Sequence, residues 1–158
     1  MRSFYNQPRY ALVDALLISM LTVLPMSSIQ ASCWDEAAIR YGVNRDILRS
    51  ISYVESKFNT AAINSRNNNG TVDVCHMQIN STHLKTLAQN NISQQTLLDK
   101  PCVCTEVGAW VLAHCTKKFG QTWEAVGCYN AGMQPNRRRL RSSYAKKVHA
   151  VYTKLTAH

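Results

Sequence analysis

Glu55 is the residue whose surroundings in the chain best fit it for chemistry. It follows Ile51 by four residues, Leu48 by seven and Ile47 by eight. A helix advances about 3.6 residues per turn, so these positions share one face. That face is apolar, and a carboxyl group withdrawn from water there has a raised pKa and stays protonated near neutral pH. A protonated Glu at the end of an apolar helix face can act as general acid in glycosidic-bond cleavage. The same residue could instead be structural, bonded to an Arg or Lys of another helix or turned outward at a frayed helix end.

The elements around it are mostly helical. Asn44 is a fitting N-cap for the helix that carries Glu55, which runs to about Ser56 with Ile47, Leu48, Ile51 and Val54 recurring on its buried face. A shorter helix from about Trp34 to Tyr41 precedes it and stops near Gly42. The Asn-rich segment from Asn59 to Asn80, with Asn67-Asn68-Asn69-Gly70 as its turn, reads as a long loop or small hairpin. Irregular segments of that length are uncommon in compact domains unless they have a function, which makes this one a candidate site wall. Ser81 and Ser93 fit as caps of two short helices, the second ending at Lys100-Pro101.

A longer helix from about Cys102 to Phe119 places Val103, Val107, Trp110, Val111 and His114 on one side, and Gly120 closes it. Thr122 caps a short helix to Asn130. A last helix from about Leu140 to Leu155 turns Tyr144, Val148, Val151, Tyr152 and Leu155 inward. Arg137, Arg138, Arg139 and Arg141 near its start, with Lys146, Lys147 and Lys154, read as a solvated basic face, with a dedicated binding patch as the alternative. The fold class expected is mainly α, a single helical domain with a long active-site loop or small hairpin.

Residues 1–31 carry Arg2 and Arg9, the apolar run Ala15 to Leu24, then Pro25 and small residues to Ala31. That order is the pattern of a cleaved secretory signal peptide. The apolar run is about half the ~20 residues that span a bilayer, so no permanent membrane span is expected. The expected organisation is a signal peptide over 1–31 and one domain over 32–158. The small residues before Cys33 faintly resemble a lipoprotein site, but Gln30 stands where such a site usually has Leu. Without Arg2, Arg9 and Asp14, 16 of 18 basic and 8 of 9 acidic residues remain, a net charge of +8. Such a charge favours a polyanionic partner. Export argues against nucleic acid, and the Arg137 to Arg141 cluster lacks a recognised reading motif. An exported chain meets an oxidising compartment, so disulfides are the default for Cys33, Cys75, Cys102, Cys104, Cys115 and Cys128. Six cysteines allow 15 pairings, and spacing does not choose among them.

Several stretches resemble the soluble lytic transglycosylase (SLT) family of lysozyme-like enzymes. They are Cys33-Trp34, Glu55-Ser56, Asp73 to Asn80 with Met77-Gln78-Ile79-Asn80, Trp123 to Gly127, Tyr129-Asn130-Ala131-Gly132, and Tyr144 to Lys147. They stand in the family's order over nearly the whole mature chain. Within the family the chain is similar to the small members of the invasion-protein type, encoded with type III and type IV secretion systems and conjugative pili. The resemblance implies a lysozyme-like α+β fold, a periplasmic location, no cofactor and no metal. It also implies peptidoglycan glycan strands as substrate, with components of a secretion or pilus apparatus as partners.

By the same resemblance, Glu55 is the single catalytic acid/base. It protonates the glycosidic oxygen between N-acetylmuramic acid and N-acetylglucosamine, then accepts the proton of the muramyl C6 hydroxyl as that oxygen attacks C1. One carboxyl group serves both steps because the nucleophile belongs to the substrate, unlike the usual pair of carboxylates. Ser56, Asn64, Met77, Gln78, Asn80, Tyr129, Asn130 and Tyr144 are the implied substrate-binding residues, with Tyr144 able to hydrogen-bond near Glu55. The nearest acid along the chain after Glu55 is Asp73, which is expected to hold its loop by bonding backbone amides.

The chain departs from the family at Cys75, where Gly is usual, at His76, where an apolar residue is usual, and at Cys128, where Ala is usual. If that Gly served an unusual backbone angle, Cys75 carries a cost. The resemblance implies a Cys33–Cys102 bridge and an added Cys75–Cys128 bridge across the cleft. Cys104 and Cys115 are then left over, about 16 Å apart if one helix holds both, which is beyond disulfide reach. Three other readings stay open: a zinc or redox module built on Cys75-His76, Cys102-Val103-Cys104 and His114-Cys115; a hydrolytic lysozyme; and a peptidoglycan-binding or scaffold protein without turnover. Metal content, product chemistry and binding without product release distinguish them.

Overall fold

A computed structural model describes residues 32–157. The signal peptide expected over 1–31 lies outside the described residues. Among the described residues seven α-helices are joined by short 3-10 turns and a small sheet: α1 (Cys33–Tyr41), α2 (Arg45–Ser56), α3 (Leu84–Leu87), α4 (Gln94–Asp99), α5 (Pro101–Phe119), α6 (Trp123–Ala131) and α7 (Arg138–Thr156). The mainly α expectation holds, and the Asn-rich loop contains the hairpin.

Local chemistry sets the helix ends. Ser32 accepts the Asp35 N–H at the start of α1, and Gly42 ends that helix in the left-handed conformation, φ 62°. The Asn44 side chain accepts from Asp46 and Ile47 N–H at the start of α2. α2 stops just past Glu55 because Lys57 and Phe58 both take left-handed φ values, 57° and 65°. For residues with a Cβ this conformation costs roughly 1–2 kcal/mol each, and it swings the chain sharply into the loop. α5 runs through the middle of the molecule against α1, α4 and α6, while α7 packs across α2 and α6. Gly127 allows the last contact, since a Cβ there would lie 2.2 Å from the Arg141 carbonyl oxygen.

The strands β1 (Ile63–Asn64), β2 (Asp73–Val74) and β3 (Ile79–Asn80) form an antiparallel sheet in that order, pairing Asn64 with Asp73 and Asp73 with Asn80. A sheet this small has no stability of its own. It is fastened to the helices by Met77, fully buried against Gly108 of α5, and by the disulfide from Cys75 to Cys104. His76 adds a polar fastening. Its Nε2 lies 3.1 Å from the Pro101 carbonyl, which can only accept, so Nδ1 at 2.9 Å receives the Ser52 hydroxyl. Burial holds this imidazole below its ordinary pKa and therefore neutral.

Several sequence expectations are corrected. Cys75 pairs with Cys104, not Cys128, and Cys128 pairs with Cys115, while Cys33–Cys102 forms as the resemblance implied. The separation of Cys104 and Cys115 along α5 is the physical reason: Cys104 lies under the sheet and Cys115, about three turns further along the same stripe, lies against α6, and each finds its partner there. All six cysteines are bonded, so none offers a thiolate to zinc. On α5 the innermost stripe is Cys104, Gly108, Leu112 and Cys115, whereas Val103, Trp110 and Val111 are half-buried and His114 is exposed. A helix covered on several sides gives no clean period from which to choose its deepest face.

α7 begins at Arg138, and Arg141 is not part of a solvated basic face. It is 3% exposed, with Nε and Nη2 on Glu124 Oε1 at 3.1 and 2.9 Å. Its Nη1 donates to the Gly132 and Gln134 carbonyls at 3.2 and 2.8 Å. No helix among the described residues is long and apolar enough to cross a membrane.

Candidate active site

Glu55 reaches a cleft of about 540 Å³ between the sheet on one side and the α6–α7 connection on the other. Its position follows from the α2 register: Leu48 and Ile51 are fully buried, and Glu55 one turn later emerges at the rim of that face. Tyr144, from the middle of α7, donates its hydroxyl to Glu55 Oε1 at 2.5 Å. Oε2 has no protein donor among the described residues, so it is the oxygen left to carry a proton.

Burial is the main influence on the Glu55 carboxyl and raises its pKa from 4.5 to about 7. The Tyr144 hydrogen bond opposes that rise, the Asp73 charge adds to it, and the Lys147 charge reduces it. At neutral pH the group is thus divided between acid and base forms. Tyr144 is held well above the ordinary tyrosine range, first by burial and then by Glu55, so its hydroxyl remains a donor. Burial does the same for Tyr129, which donates to the Met77 carbonyl at 2.8 Å and so ties α6 to the loop below the cleft.

Of the residues expected at the substrate site, Glu55, Gln78, Asn80, Tyr129 and Asn130 line the cleft. The others stand behind them. Ser56 donates to the His76 carbonyl at 2.9 Å and anchors the loop to α2. Met77 is packed beneath, and Tyr144 reaches the site through Glu55. Asn64 and Asn80 turn their amides inward to Asp73, at 3.1 and 2.7 Å. The backbone positions also show what the departures do. Cys75 and Gln78 both take left-handed φ values, 60° and 49°, so Cys75 occupies a position where glycine would be unstrained.

Asn67 and Asp73 are the residues that sequence reasoning undervalued. Asn67 also donates to Asp73, at 2.8 Å, so side-chain amides of Asn64, Asn67 and Asn80 all converge on this carboxylate. Asp73 was expected to bond backbone amides, but the strand pairing turns Asn64 and Asn80 toward it from both sides. The density of Asn in this loop was the available signal. Asp73 lines the cleft with Glu55, so the fold does bring a second carboxylate to the site. Arg137, from the turn before α7, lines the opposite wall and donates to the Ala131 carbonyl at 3.3 Å. Among the described residues no group of three or more His, Cys, Asp or Glu is placed to hold a metal ion.

Residues 32–151 match the transglycosylase SLT domain. The chain is 39% identical to "Invasion protein IagB" of Salmonella typhimurium, over 87% of this chain and 86% of that protein. It is 38% identical to "Protein IpgF" of Shigella flexneri, over 81% of this chain and 84% of that one. It is 30% identical to a "Peptidoglycan-binding-like protein" of Escherichia coli O157:H7, over 95% and 93% of the two chains. A buried, Tyr-held glutamic acid in a polar cleft, on a chain matched over this extent, places the protein in the transglycosylase SLT domain family of peptidoglycan lytic transglycosylases.

Proposed function

We propose that this chain cleaves the β-1,4 bond between N-acetylmuramic acid and N-acetylglucosamine in peptidoglycan, with Glu55 as acid and then base, and leaves a 1,6-anhydromuramyl end. The observation that carries this reading is the Glu55 carboxyl, raised to about 7 with one oxygen held by Tyr144. In the first step Oε2 gives its proton to the glycosidic oxygen as the C1–O bond breaks, leaving positive charge at the muramyl C1. The Glu55 anion is stabilised by the Tyr144 hydroxyl at that moment. In the second step it takes the proton from the C6 hydroxyl while O6 bonds to C1, which returns Glu55 to its acid form.

Asp73 bears on the hydrolytic alternative, because two carboxylates in one cleft are the usual equipment for water attack. Its oxygens, however, accept three amide hydrogen bonds. That arrangement favours a fixed anion facing developing positive charge over a base that moves protons. Gln78, Asn130 and Tyr129 supply the polar and aromatic lining for the sugar rings.

The chain acts, on this reading, in the periplasm after removal of residues 1–31, opening the wall locally for a secretion or pilus apparatus. The name "Invasion protein IagB" of one relative agrees with such a setting. Digestion of peptidoglycan in water enriched in oxygen-18 tests the reaction. Soluble products whose new ends carry no label are expected; label at C1 identifies a hydrolase, and absence of soluble products identifies a binding or scaffold protein.

A further inference from the structure

α6 and α7 enclose a second hollow of about 410 Å³ outside the cleft. Trp123, a residue 37% exposed, lines it. His149 and Tyr152 meet the Trp123 ring at steep angles, with centroids 4.6 and 5.8 Å away, and hold its orientation. Arg138, Ser142, Lys146 and His149 follow one another along the wall, at spacings that share one helix face. Arg138 and Lys146 are exposed and enter no salt bridge or side-chain hydrogen bond among the described residues. Glu124 also lines the hollow, but its charge is taken up by Arg141 at 2.9 Å.

An oriented indole beside two unneutralised cations fits a ligand with an apolar ring face flanked by carboxylates. A peptidoglycan strand has that chemistry, because every second pyranose ring along it bears a peptide stem that carries carboxylates. Consecutive residues line the two cavities, Arg137 the cleft and Arg138 the hollow. We propose that this hollow is a second peptidoglycan-binding site. Trp123 stacks on a sugar ring, and Arg138 and Lys146 bind stem carboxylates, holding the polymer beside the cleft so that cleavage proceeds on a tethered strand. The proposal rests on peptidoglycan being the substrate of the Glu55 cleft.

The test is co-sedimentation with purified sacculi, in a Glu55→Gln background so that the polymer is not consumed. Arg138→Gln with Lys146→Gln is compared with a control of equal charge change, Lys85→Gln with Lys100→Gln, on exposed residues outside the hollow. The groove pair is expected to weaken binding about tenfold and the control at most about twofold. Sacculi whose stem carboxylates have been converted to amides with a carbodiimide and ammonia should bind parent and groove variant equally. With Glu55 restored, the groove variant should cleave a soluble glycan tetrasaccharide at the parent rate.

Equal losses in the groove pair and the control, or a difference that survives amidation of the stem carboxylates, overturn the proposal. So does unchanged binding, which leaves the hollow to an acidic protein segment. Failure of the cleft reading is separate and shows as no tetrasaccharide cleavage by the parent.

Discussion

Glu55→Gln should abolish turnover and at the same time stabilise the fold above neutral pH. The native carboxyl has its pKa raised from 4.5 to about 7, chiefly by burial. A group that binds its proton more tightly when folded contributes its full stability below its unfolded pKa and loses it as pH rises through the folded pKa. The loss here begins near pH 4.5 and is complete somewhat above 7. Its size corresponds to roughly 3 kcal/mol, from about 1.4 kcal/mol for each tenfold change in proton affinity. Gln cannot ionise, keeps the shape and can still accept the Tyr144 hydroxyl.

At pH 8 the variant should therefore be more stable than the parent by about 3 kcal/mol, or roughly 10 °C in Tm for a domain of this size. At pH 4 the two should melt together. Urea or thermal melts of both proteins between pH 4 and 8 measure this directly. A constant difference across that range, or a variant less stable at pH 8, refutes the claim that a desolvated carboxyl sits at this position.

Two substitutions should move the pH profile of the parent activity in opposite directions. Tyr144→Phe removes the hydrogen bond that opposes the rise at Glu55, so the alkaline limb moves up while turnover falls roughly ten- to a hundredfold. Asp73→Asn removes a charge that raises the same pKa, so the alkaline limb moves down; pH–rate profiles of the two variants check both signs. Arg141→Met leaves Glu124 and the Gly132 and Gln134 carbonyls without their donor and should cost about 3 kcal/mol in denaturant melts. Arg141→Lys should recover little of it, because an ammonium cannot reproduce the planar fork.

What the sequence made legible was local. The α2 cap at Asn44, the glycine stop at Gly42 and the apolar face leading to Glu55 follow from propensity and period, and these place the acid at the end of a buried stripe. The Asn-rich loop was readable as a site wall because its composition and length fit no regular element. Contacts between distant segments were not readable. Nothing in the spacing of Cys75 and Cys104 shows that α5 passes beneath the hairpin, and nothing near Arg141 shows that Glu124 and two carbonyls from the α6–α7 connection surround it. His76 offered only a ligand type and a departure from an apolar position, and its linking role emerges from its partners Ser52 and Pro101 on two other elements. Asp73 needed the register of three strands to bring its amide donors together.

The most direct test of the central claim is mass spectrometry of the soluble products of peptidoglycan incubated with the mature protein and with Glu55→Gln. Anhydromuropeptides from the parent and none from the variant are expected. Reducing-end muropeptides from the parent, or anhydromuropeptides that persist in the variant, contradict the role assigned to Glu55.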